Sequence, residues 1–138
     1  EMLKHKHNKP CFIFAITMEN HGPLHLEKVT AENEKQYYRG VQPNNKDELS
    51  IYLRHLKNAD KTIKYLMTTL KRYEKNTLFC LYGDHVPSMP AIYAETAFND
   101  NRTDYVIWSP ISIKNNKHNK KNISTQCLTK QIKKIIGD

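Results

Sequence analysis

The sequence predicts an α/β protein with a parallel sheet, and three observations carry that expectation. Two short apolar runs, "CFIFAITM" (11–18) and "TLFCLY" (77–82), have the length, composition and turn-residue boundaries of buried strands. A long amphipathic stretch, 47–74, lies between them. Each run is followed at once by polar, chemically capable residues: Glu19, Asn20 and His21 after the first, Asp84 and His85 after the second. Strand, long helix, strand is the βαβ unit, whose strands run parallel through a right-handed crossover. The expectation is therefore a partial parallel sheet with flanking helices, covered on both faces, with residues 1–138 forming a single α/β unit.

Taken in order, Pro10 precedes the first run and a Glu-Asn-His-Gly-Pro cluster closes it, which favours a strand over a helix. The mixed-polarity residues that follow, with Tyr37, Tyr38, Gly40 and Pro43, read as a loop with a short helical turn. In 47–74, Leu49, Tyr52, Leu53, Leu56, Ala59, Ile63, Leu66, Met67 and Leu70 step by three and four, the stripe of one helix face. Asn45 and Glu48 have capping-box spacing, acidic residues fill the first turn, and Lys71 and Arg72 suit the last. After 77–82 the chain reads as loop with one helical turn near 91–96, then a third strand "DYVIWS" (104–109) closed by Pro110. The run 114–122 is a solvated loop. Ser124 caps a last helix with Leu128, Ile132, Ile135 and Ile136 inward and Gly137 at its end.

The composition narrows the function. Lys and Arg number 22 against 14 Asp and Glu, a net charge of +8, which suits an anionic partner or is simply a Lys-rich solvated surface. Basic residues are not interleaved with exposed aromatics, so nucleic acid is not the expected partner. Three widely spaced cysteines, Cys11, Cys80 and Cys127, make neither a disulfide framework nor a zinc-site spacing and read as buried thiols. No run has transmembrane length and no secretory leader opens the sequence, so this chain by itself is expected to be soluble.

In open parallel sheets, sites form beyond the carboxyl ends of the strands. Parallel pairing of the first two runs would bring His21 and the Asp84–His85 pair to one edge. A carboxylate beside an imidazole suits a divalent metal, although zinc sites take three or four ligands. His21 is then a third ligand or a donor to a bound anion. A turn with a satisfied histidine is the plainer alternative for "GDH". Glu19 is a candidate to orient His21, and Asn20 to donate to an anion or shape the turn. His5, His7, His25, His118 and Asp60 read as solvated, His55 as structural or exposed, and the Asn101 and Asn122 sequons as chance.

Four segments, "FAITMENHGP", "YLRHLKNADKTIKYLMTTLKR", "NTLFCLYGDHVPSMP" and "DYVIWSP", occur in one order. Together they resemble the C-terminal part of the catalytic domain of the alkaline phosphatase superfamily, in its sulfatase-like branch. That branch includes lipoteichoic acid synthases and phosphoglycerol or phosphoethanolamine transferases. The resemblance implies an alkaline phosphatase-like fold and places Asp84 and His85 as metal ligands, with His21, helped by Asn20, on the substrate phosphate or sulfate. It implies a divalent manganese, magnesium or zinc ion. It implies a parent protein anchored in the cell membrane, with its catalytic domain outside the cytoplasm, acting on a phosphorylated or sulfated envelope lipid or glycan. The family's nucleophile and a further acidic ligand belong to an N-terminal half that "EMLKHKHNKP" does not resemble, so no catalytic nucleophile is expected in this chain. Isolated, it is expected to be inactive, to bind metal weakly and to self-associate through an exposed sheet edge. The alternative is a non-catalytic α/β module that binds anionic glycan or lipid headgroups on its basic surface.

Overall fold

The computed structural model describes residues 10–30, 37–73, 76–111 and 120–137. Their elements are a 3₁₀ turn at Leu24–Leu26, helix α1 at Lys46–Tyr73, strand β1 at Phe79–Tyr82, helix α2 at Pro90–Thr96, strand β2 at Tyr105–Trp108 and helix α3 at Thr125–Ile136. The chain divides into two compact units, one of residues 1–66 and 84–103, the other of 67–83 and 104–138.

In the first unit, α1 begins at Lys46, directly after Asn45, with Asp47 and Glu48 in its first turn against the positive helix end. Ser50, 1% exposed, returns its hydroxyl to the Lys46 carbonyl at 2.8 Å, and the Tyr38 hydroxyl lies 2.9 Å from it. Ile51 stands beside Ser50 in the core, together with Leu24, Met89 and Ile92, and Val29, Leu49, Tyr52 and Tyr93 pack around them. Met89 and Ile92 are brought there by α2, which Pro90 opens, its fixed φ and missing N–H suiting a first helical position. The Glu95 carboxylate accepts the Asn44 backbone N–H at 2.8 Å and its side-chain amide at 3.2 Å, holding α2 to the entry of α1.

In the second unit, β1 and β2 form a two-stranded sheet with Phe79 opposite Trp108 and Tyr82 opposite Tyr105. The Gly83 N–H donates to the Asp104 carbonyl at 3.1 Å and extends the ladder by a step. The Lys71 ammonium lies 5.9 Å from the Trp108 ring centroid, within cation–π range. Among the described residues of this unit, Leu70 and Leu128 are the buried apolar ones. Gly137 ends α3 at φ 83°, donating its N–H to the Lys133 carbonyl.

Two expectations are corrected. The first concerns residues 11–18, which form no strand; Phe12 is 89% and Ile16 75% exposed, and the Cys11 thiol is exposed rather than buried. A strand needs a neighbour for its N–H and C=O groups, and among the described residues the only strand pairing is β1 with β2. The second follows from it. Without a first strand the βαβ crossover has nothing to cross to, and β1 pairs antiparallel with β2 instead of parallel with 11–18. A smaller difference concerns Ser124. It stands at the N-cap of α3, but its hydroxyl contacts the Cys127 sulfur at 3.3 Å rather than capping a backbone N–H. His5, His7 and His118 lie outside the described residues.

Candidate functional site

The two groups of residues singled out in the sequence both lie in the first unit, and each has its own local geometry. His21 follows a turn in which its backbone N–H donates to the Met18 carbonyl at 3.1 Å. Its ring Nδ1 is 2.6 Å from the Gly22 carbonyl. A carbonyl only accepts, so Nδ1 carries the proton in this contact and Nε2 is the ring nitrogen not engaged by it.

His21 lines an open cleft of about 570 Å³ together with Met18, Glu19, Glu27, Arg54, His55 and Asn58. Arg54, His55 and Asn58 come from one face of α1, at the spacing that makes helical residues neighbours. The Asn58 amide donates to Glu19 Oε1 at 2.9 Å. His55, only 7% exposed, sets Nε2 2.9 Å from Glu27 Oε1, and Arg54 bonds to Glu27 Oε2 and to the Lys28 carbonyl, the latter at 3.2 Å. Hydrogen bonding from His55 is the main cause, and Arg54 a further one, that holds the Glu27 carboxyl below its ordinary value of 4.5. His55 Nδ1 and Asn20 Oδ1 are shielded from solvent, with no hydrogen-bond partner among the described residues. Asn20 is half-buried; His25 is exposed.

Asp84 and His85 follow β1 through Gly83 and are both open to solvent, with side chains 81% and 66% exposed. Asp84 Oδ1 accepts the His85 backbone N–H at 2.9 Å, and its Oδ2 is 3.7 Å from His85 Nε2. His85 Nδ1 is 2.9 Å from the Val86 carbonyl and donates to it, which leaves the Nε2 lone pair available. A backbone carbonyl holding the second ring N–H is a usual support of a metal-binding histidine. The donor chemistry of the pair fits a divalent ion, but only as a partial set. Among the described residues no group of three or more His, Cys, Asp or Glu side chains is placed to hold a metal. Asp84 and His85 are not among the residues lining the His21 cleft.

The sequence reading singled out His21 and Glu19 in this cleft but missed Arg54, Asn58 and Glu27, and it took His55 for structural or exposed. The available signal was the polar trio at 54, 55 and 58 on a helix otherwise read by its apolar stripe. The Cys80 thiol, pushed up by burial, has no role here.

The Sulfatase family model matches residues 1–137. The "Putative cyclic beta-1,2-glucan modification protein" of Rhizobium meliloti (strain 1021) is 28% identical over 132 residues, covering 84% of this chain and 20% of that protein. The "Capsular polysaccharide biosynthesis protein RkpI" of the same organism is 34% identical over 96 residues, covering 70% of this chain and 15% of that protein. The chain thus spans a fifth or less of the length of these relatives. No solved structure gives a significant match. Members of the family that matches generally use a divalent metal. No helix among the described residues is long and apolar enough to cross a membrane.

Proposed function

The chain belongs to the sulfatase family, and from that premise we propose that it forms part of a metal-dependent phospho-group transferase or sulfatase-like hydrolase that modifies envelope glycans. The family match across the chain carries this reading, and the two relatives, named for glucan modification and capsular polysaccharide biosynthesis, give it its substrate class. Phosphoglycerol or phosphoethanolamine is the group proposed for transfer. The parent protein is proposed to be membrane-anchored with its catalytic domain outside the cytoplasm.

Within this reading, His21 receives the phosphate or sulfate of the substrate. With Nδ1–H held by the Gly22 carbonyl, a second N–H at Nε2 makes the ring a cationic donor that faces the anion. Asn20 assists through its amide N–H₂, since its Oδ1 would repel an anion. Asp84 and His85 supply one carboxylate oxygen and one imidazole nitrogen to a divalent ion. Such an ion, when bound, offsets the charge on the ester oxygens. The reading assigns no nucleophile to the residues described.

Manganese titration followed by paramagnetic broadening of backbone resonances tests the metal assignment. Saturable broadening centred on 84–86, lost in Asp84→Ala, is expected; broadening that survives this substitution removes Asp84 from the ligands. A parallel titration with glycerol phosphate, phosphoethanolamine and sulfate separates the transferase from the sulfatase reading by which anion moves the His21 signals at the lowest concentration.

A further inference from the structure

Segment 18–28 is fastened to one face of α1 on both sides of His21. On the N-terminal side Glu19 accepts from Asn58 at 2.9 Å. On the C-terminal side the Glu27 carboxylate takes His55 on one oxygen and Arg54 on the other, and Arg54 also reaches the Lys28 carbonyl. Between the fastenings only Leu24 is buried. His55 is more than nine-tenths buried although its Nδ1 has no described partner, so this helix position keeps a polar ring where an apolar one would pack at lower cost.

We propose that Arg54, His55 and Asn58 are positioning residues that hold the 18–28 segment so that His21 meets its anion without first having to be ordered. The proposal rests on the reading of His21 as the anion donor. Its physical content is preorganisation: a ligand that must order a loop binds more weakly by the entropy of that ordering. Glu27 and Asn58 are exposed, so their replacement leaves the core of Leu24, Ile51, Met89 and Ile92 intact.

The test combines amide hydrogen exchange with inorganic phosphate titrations of the chain, in Glu27→Ala and Asn58→Ala, each also made in a His21→Ala background. Faster exchange at 19–27 is expected, with exchange in β1 and β2 unchanged. Phosphate affinity should fall about three- to ten-fold when His21 is present and not at all when it is absent. Glu27→Gln, which keeps one acceptor oxygen but sets an amide N–H₂ against the other donor, should recover only part of the loss. Unchanged exchange at 19–27 in the double variant Glu27→Ala/Asn58→Ala overturns the proposal. So does an affinity loss of equal size in the His21→Ala background. If phosphate moves no signal at His21 in the unmodified chain, the anion reading falls by itself, while the exchange result still decides whether the clasp exists.

Discussion

Glu27 accepts from two neighbours on α1, His55 on one oxygen and Arg54 on the other, and its protonation should therefore be felt along the segment it anchors. Its carboxyl is held below its ordinary value of 4.5, chiefly by the hydrogen bond from His55. A depressed carboxyl contributes stability that is fully present above the unfolded value and is lost as pH falls through the lowered folded value. Acidification below 4.5 should thus release 18–28, read as faster hydrogen exchange there than in α3. Asp100 gives a cleaner test of the same sign. Arg102 bonds both of its oxygens, at 2.9 and 2.6 Å, and holds it at about 2 against an ordinary 3.8. Arg102→Gln should return the Asp100 titration, followed by NMR, toward 3.8, and no movement would show that the bidentate pair does not form.

At the scale of elements, the end of α2 carries a correctable strain. Ala97 sits at φ 53°, the left-handed region, as the C-cap of the helix. A β-carbon is unfavourable there and glycine is the usual occupant, so Ala97→Gly should raise stability by about 1 kcal/mol in denaturant unfolding. Ile51 is the opposite case, well placed and 2% exposed, and Ile51→Ala should cost roughly 2–5 kcal/mol. These elements also mark what could be read from sequence. The bounds of α1, β1 and β2 were legible to within about two residues, because long helical periodicity and short apolar runs closed by Gly or Pro are local signals. Which side of α1 is deepest was not. Ile51, Ser50 and His55 are buried while Leu56 is exposed, since a stripe of leucines fixes a face only approximately and the packing of Leu24, Met89 and Ile92 selects the rest. The 11–18 run had equally good local signals and is not a strand, because pairing depends on a partner that no local pattern supplies.

At the scale of the whole molecule, membership of the family came from the order of four segments, whereas the clasp around His21 could be found only in three dimensions. Phe12, Ile13, Phe14, Ile16 and Met18 are all exposed, an apolar stretch of the kind that drives association. Phe12→Ser with Phe14→Ser should lower the sedimentation coefficient at high protein concentration; an unchanged value would show that the stretch is not a contact. The functional account depends most on His21 acting as a cationic donor through Nε2, with Nδ1–H committed to the Gly22 carbonyl. The direct measurement is a titration of the His21 ring resonances with inorganic phosphate. Saturable shifts of the ring, with shifts of the surrounding amides that vanish in His21→Ala, are predicted. Ring resonances that stay still, or amide shifts that persist without His21, would contradict the account.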